Sequence, residues 1–298
     1  MGNSIMNVGI IGVGLMGHGI ARNVLMKGRF PLVFLDHPGN QPVDDLVDLG
    51  AKSCKTAGEV TSASDVVILC VTGSREVEAV LTSKDGVFAE LRKGTVVVDC
   101  STSIPQSTLR MAEAVKSSGG EFLDAPMTRL AKHAHEGTLN LLVGGDEVVL
   151  AKVRPVLASF TESIEHVGPI SFGHRLKLLH NFVSIGFMAL LAEAAARCAD
   201  AGIDPRVFVD VLAKGGGAGV ALERMRPMII SGDSSNVPFT IDNALKDIEY
   251  YRAMASGSDT PNAIAGGVAA AILSASKEGH GQAYIPELMR FLRRRASA

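Results

Sequence analysis

The chain has 298 residues, 47% of them hydrophobic and 20% charged, with a formal net charge of −2. That length can bury one large core or two of ordinary size, and the composition is that of a globular protein, not a disordered or fibrous one. The charge balance leaves no electrostatic footprint for nucleic acid, and the one basic cluster, Arg293 to Arg295, reads as a solvated helix end.

In chain order, Val8 to Ile11 predicts a buried strand, Ile20 to Lys27 lies in a helix, and Pro31 to Leu35 predicts a second strand. Between strand and helix stands Gly12-Val13-Gly14-Leu15-Met16-Gly17, a GxGxxG in the setting that dinucleotide binding requires. The first glycine makes the tight turn, the second lets the backbone approach a pyrophosphate, and the third permits close helix–strand packing. Leu15 and Met16 open the helix, whose N-terminal N–H groups and partial positive charge suit phosphate. Asp36 ends the second strand about twenty residues on, where a carboxylate accepts from ribose hydroxyls. It would repel a 2′-phosphate, and His37-Pro38-Gly39 brings no arginine. NAD is therefore expected over NADP, with His37 the one residue that would carry a positive charge there.

Val66 to Val71 and Val96 to Asp99 predict further buried strands, with Phe122 to Asp124 and Leu139 to Val143 as shorter ones. This alternation of strands and helices predicts a parallel sheet. After Gly168 the pattern changes. Phe172 to Ala201 reads as one helix about 45 Å long, punctuated by Gly202 and Pro205. Beyond it the chain reads as helical, broken at Gly215 to Gly217 and around Ser231 to Pro238. The expectation is an α/β fold: a Rossmann-type doubly wound domain at 1–169, then an all-α domain at 170–298, joined by the long helix.

The four cysteines form no metal-ligand spacing, and Cys70 and Cys100 sit in or beside apolar runs, which fits reduced thiols in a cytoplasmic protein. No signal peptide is expected, and Met6 breaks the myristoylation pattern that would begin at Gly2. No segment is read as a membrane span, although Asn181 to Ala196 comes nearest.

The second chemical signal lies on the long helix. Gly173, Lys177, Asn181 and Ser184 fall on one face, flanked by His180, as a thin polar stripe on an apolar helix. A lysine there ordinarily snorkels to solvent; an asparagine one turn on can instead orient its amine.

Gly173-x-x-x-Lys177-x-x-x-Asn181 resembles the catalytic signature of the β-hydroxyacid dehydrogenase family. The likeness covers nearly the whole chain. Gly9 to Gly17 is similar to the family's N-terminal signature, Asp99-Cys100-Ser101-Thr102 to its cofactor loop, and Asp124-Ala125-Pro126 with Gly137-Thr138-Leu139 to its substrate segment. Lys246-Asp247 resembles its late Lys-Asp pair. The resemblance implies that Lys177 is the general acid in carbonyl reduction and the base in reverse, with a neighbouring cation such as Lys246 lowering its pKa. It implies that Asn181 aligns substrate or amine, and that Val71, Thr72, Thr102 and Lys246 contact the cofactor. Hydride passes directly to the substrate, so no metal is required.

The chain departs from the family in the substrate loop, Asp124-Ala125-Pro126-Met127-Thr128-Arg129-Leu130. Thr128 can donate to a carboxylate. Arg129 replaces a glycine and offers a forked donor for carboxylate, sulfonate or phosphate, unless a salt bridge merely ties it into the loop. Arg129 and Ser184 are shared with sulfolactaldehyde reductases, although those usually have glycine before the arginine and asparagine where His180 stands. Lys177-x-x-His180-Asn181 also looks like 6-phosphogluconate dehydrogenase, whose helical domain is much longer. His180 is expected against substrate. The expected function is hydride transfer between NAD and a small β-hydroxyacid or its semialdehyde. Alternatives are a sulfonate-specific reductase and an NAD-binding sensor without turnover. The apolar helical half predicts a homodimer or homotetramer.

Overall fold

The computed structural model describes residues 6–257 and 261–293; Gly2, Arg294 and Arg295 lie outside them. The chain divides into two compact units, Met1–Lys177 and Leu178–Ala298.

The first unit alternates strands and helices. It runs β1 (Val8–Ile11), α1 (Leu15–Asn23), β2 (Leu32–Leu35), α2 (Asp44–Asp48), β3 (Lys52–Cys54), α3 (Ala57–Ser62), β4 (Val66–Leu69) and α4 (Ser74–Thr82). It continues with β5 (Val96–Asp99), α5 (Pro105–Ser117), β6 (Glu121–Asp124), β7 (Met127–Thr128), α6 (Ala131–Glu136), β8 (Leu139–Gly144), α7 (Glu147–Leu157) and β9 (Thr161–Gly168). One nine-stranded sheet has the order β3-β2-β1-β4-β5-β6-β8-β7, with β9 paired to β8. The strands from β3 to β6 are parallel, and β8 turns antiparallel to β6.

Both faces of the parallel strands are covered, so successive residues alternate between two cores. Ile10, Phe34, Val66, Ile68, Val96, Val98 and Leu123 enter one. Ile11, Val67, Leu69, Val97 and Phe122 enter the other. The order reverses between β1 and β4, which opens the crevice where such sheets take ligands at their carboxyl ends. In register across those ends stand Ile11, Leu69, Asp99 and Asp124.

The long helix is α8 (Phe172–Asp200). The expected boundary at 169/170 falls before it, whereas the compact first unit includes its start as far as Lys177. Close packing is the reason: a Cβ on Gly173 would stand 2.3 Å from the Leu142 carbonyl oxygen. By length and composition α8 would suffice to cross a membrane, which corrects the expectation that no segment would. A core helix of a globular protein meets the same criterion.

The second unit holds the remainder of α8 with α9 (Pro205–Ala213), α10 (Val220–Ser231), α11 (Ile241–Ala255), α12 (Ala263–Ala275) and α13 (Leu288–Arg293). Asp204 and Thr240 cap α9 and α11, each accepting a backbone N–H of the first turn. No strand pairing occurs among its described residues beyond one bridge, Thr240 to Tyr284.

Candidate active site

The glycine-rich turn is built as its spacing requires. Gly12 has φ +98°, and a Cβ there would come within 2.2 Å of the Cys70 carbonyl oxygen. A Cβ on Gly17 would stand 1.9 Å from the Gly12 carbonyl oxygen. Gly14 differs: a Cβ there meets no protein atom within 4 Å. The middle glycine thus leaves room for a pyrophosphate, while its neighbours are demanded by the fold. Helix α1 follows at Leu15 with no side-chain cap, so its first N–H groups remain suited to an anion.

Asp36 is exposed just past β2. The next residues fold back through Asn40, whose amide accepts from Val13 N at 3.3 Å and donates to Leu35 O at 2.9 Å. Asn40 was not singled out in the sequence; it braces the Asp36 loop against the glycine turn. His37 Nδ1 accepts from Gly39 N at 3.0 Å, which folds the ring back onto the turn.

Val71, Thr72 and Thr102 lie in the loops that follow β4 and β5, joined by a hydrogen bond from Val71 N to Ser101 Oγ of 3.0 Å. The same turn is tied to α4 by Ile104 N donating to Ser74 Oγ at 2.7 Å.

Beside it, Asp99 and Asp124 are adjacent in register and fully buried. Asp99 accepts from Ser101 N and Ser103 Oγ, and Asp124 from Ser171 N and His174 N. His174, also fully buried, has Nε2 3.8 Å from Asp99 and Nδ1 3.7 Å from Asp124. No motif in the sequence marks His174. A histidine in an apolar helix carries no signal when its partners are over sixty positions away.

Lys177 does not snorkel: its Nζ donates to the Met127 carbonyl oxygen at 2.5 Å, in the expected substrate loop. Thr128 follows, half-buried. Arg129 has φ +80°, the left-handed region in which a glycine is unstrained. Its fork is occupied: Nη1 and Nη2 donate to Glu162 at 2.5 and 3.0 Å, and Nη1 to Thr138 O at 2.7 Å. This is the salt-bridged alternative for Arg129, in which Glu162 of β9 holds the guanidinium in the loop. The Arg129 hydrogen bond holds the Glu162 carboxyl below its usual range.

In the second unit, Asn181 Nδ2 donates to Asp247 Oδ2 at 2.6 Å, and its Oδ1 lies 3.1 Å from His180 Nδ1. The buried Asp247 also accepts from Lys246 Nζ at 2.6 Å, and that ammonium lies 4.8 Å above the Tyr250 ring. Ser184 is half-buried one turn beyond Asn181.

Residues 7–168 match the family described as the NAD binding domain of 6-phosphogluconate dehydrogenase. Residues 172–292 match the one described as NAD-binding of NADP-dependent 3-hydroxyisobutyrate dehydrogenase. The 2-(hydroxymethyl)glutarate dehydrogenase of Eubacterium barkeri is 34% identical over 82% of this chain and 80% of its own length. The NAD-dependent L-serine dehydrogenase of Pseudomonas aeruginosa is 32% identical over 85% and 87%. Among solved structures, 3-hydroxyisobutyrate dehydrogenase from Salmonella typhimurium superposes with a TM-score of 0.86 at 26% identity, covering 96% of this chain and 99% of that one.

Proposed function

Because the chain belongs to the β-hydroxyacid dehydrogenase family of nicotinamide-dependent oxidoreductases, we propose that it oxidises a small β-hydroxyacid, or reduces its semialdehyde, with Lys177 as the proton-transfer group. The observation that carries this reading is the half-buried amine of Lys177, hydrogen-bonded to the backbone of the 125–130 loop. The two curated relatives are named for acids with a hydroxyl on the carbon β to a carboxylate.

In the reducing direction Lys177 Nζ gives a proton to the carbonyl oxygen as negative charge develops on it; in the oxidising direction the neutral amine takes the hydroxyl proton. The nicotinamide, when bound, supplies or accepts the hydride. Gly12, Gly14, Leu15, Met16 and Gly17 would hold the pyrophosphate, Asp36 the adenosine ribose, and Val71, Thr72, Thr102 and Lys246 the remainder of the dinucleotide. Asn181, one turn beyond Lys177 on α8, aligns the reacting groups, and Asp247 fixes its amide. Thr128, His180 and Ser184 complete the substrate contacts. NAD is the preferred cofactor: Asp36 is exposed for a ribose, and His37 is folded back onto Gly39.

A sulfonate-specific reading would require Arg129 to leave Glu162, and a sensor without turnover would have no use for the Lys177 placement. The free cysteines, with Cys70 pushed up to about 12 by burial and then by Asp99, fit a reducing cytoplasm. Exposed Val183, Leu190, Val207, Val211 and Ile264 support self-association through the helical unit, which light scattering at several concentrations measures.

The test is NADH oxidation with methylmalonate, succinate and tartronate semialdehydes and with sulfolactaldehyde. Activity on methylmalonate or tartronate semialdehyde, each reduced to a β-hydroxyacid, that falls about 10²- to 10⁴-fold in Lys177→Ala is the expected result. Full activity in that variant overturns the role of Lys177, and sulfolactaldehyde as the sole substrate overturns the substrate class.

A further inference from the structure

We infer that His174 is a positioning residue: its ring locks the cofactor-side turn after β5 to the helical turn that carries Lys177. The inference rests on the reading of Lys177 given above, but the lock itself stands on geometry within the first unit.

Two segments meet at the imidazole, and a third accepts from the backbone of the same residue. Nε2 lies 3.1 Å from the Ser101 carbonyl oxygen, which can only accept, so Nε2 carries hydrogen. Nδ1 lies 2.8 Å from Thr108 Oγ1, whose hydroxyl also reaches Ile104 O at 3.2 Å. The backbone N–H of His174 donates to Asp124 at 2.8 Å. The ring therefore spans from the start of α8 to the Ser101 turn and to α5. That turn is already fixed to the loop after β4 through Val71 and to the start of α4 through Ser74. Lys177 follows His174 by less than one helical turn.

The side chain also stands between two buried carboxyl groups. Two carboxylates abreast at the ends of neighbouring parallel strands, both sealed from water, are costly unless donors converge on them. Backbone and serine donors supply four of these, and the imidazole lies between the two groups within 4 Å of each. A hydrophobic residue of similar volume would fill the space and leave Ser101 O without its donor. It would also leave the start of α8 without a tie to the Ser101 turn.

His174→Gln and His174→Asn separate the two ends of the ring. The glutamine amide reaches the position of Nε2 and keeps the donor to Ser101 O, whereas the asparagine amide reaches only the position of Nδ1. Hydrogen exchange of the NAD-bound protein should show faster exchange in residues 100–104 and 171–178 together in the asparagine variant, and near-native exchange in the glutamine variant. In steady-state assays kcat should fall roughly 10- to 100-fold in the asparagine variant, with a larger primary deuterium isotope effect and KM for substrate changed far less. The glutamine variant should recover most of kcat.

Thr108→Val, close to isosteric, severs the α5 end and should speed exchange in residues 100–108 alone. This keeps the test open if the asparagine variant does not fold. An asparagine variant with native exchange in both segments and kcat within twofold of wild type overturns the lock, as does acceleration of only one segment. If the wild type turns over no hydroxyacid, the reading of Lys177 fails while the exchange experiment still decides the lock.

Discussion

Gly173→Ala is the sharpest test of how tightly α8 is seated. The new Cβ would stand 2.3 Å from Leu142 O, 2.8 Å from Asp124 O and 2.8 Å from Asp124 Oδ2. Two of these are backbone oxygens of sheet strands, which cannot rotate away. Reaching ordinary contact requires the helix start to retreat by about 1 Å, and a displacement of that size at a reacting group can cost about 10²-fold in rate. Alanine favours a helix interior over glycine by about 1 kcal/mol, whereas overpacking costs about 1–3 kcal/mol, so the clash outweighs the propensity gain. The expected outcome is a lower Tm by calorimetry and a kcat reduced about 100-fold with a smaller change in KM. A variant with unchanged Tm and kcat within threefold of wild type would refute the reasoning.

Gly14→Ala provides the contrast: its φ of −78° suits alanine and no protein atom lies within 4 Å, so Tm should hold. Dinucleotide affinity, read by fluorescence titration, should drop about tenfold or more, equivalent to at least 1.4 kcal/mol; unchanged affinity would remove the glycine turn from the cofactor site. Glu162, its carboxyl held low chiefly by the Arg129 hydrogen bond, contributes stability above its unfolded pKa of about 4.3 and loses it as pH falls through the lower folded value. The Tm difference between wild type and Glu162→Gln should therefore be present at pH 7 and shrink below about pH 4; equal differences at both ends would exclude the clasp. Asn181→Ala removes a donor from the buried Asp247 and should cost about 1–3 kcal/mol. Its effect should be smaller in an Asp247→Asn background, and strict additivity in that double-mutant cycle would deny the coupling.

What the sequence made legible divides along physical lines. The glycine turn was readable because backbone geometry at Gly12 and Gly17 excludes a Cβ, and the long helix α8 because its largely apolar run continues up to Gly202. Strand β9, Thr161–Gly168, was missed because its residues are half-exposed and mix Glu, Ser and His with Ile and Val. With it went Glu162, and so the partner of Arg129. The positive φ of Arg129 breaks the rule by which left-handed positions are recognised, since glycine is the expected residue. The direction of the arginine depended on a pairing thirty-three residues distant, which no local pattern carries.

The side-by-side carboxylates Asp99 and Asp124 also impose an order on folding. During synthesis the chain completes all nine strands before Ser171 and His174 emerge. Until then two donors to Asp124 are missing, and water must take their place on the carboxyl group. Drying of the sheet edge thus waits for the start of α8, and the segment that dries it delivers Lys177 three residues later. A nascent chain ending before residue 171 should hold a nearly complete sheet with a wet, exchange-labile edge at residues 99–104, a state that pulse-labelling of stalled chains can detect.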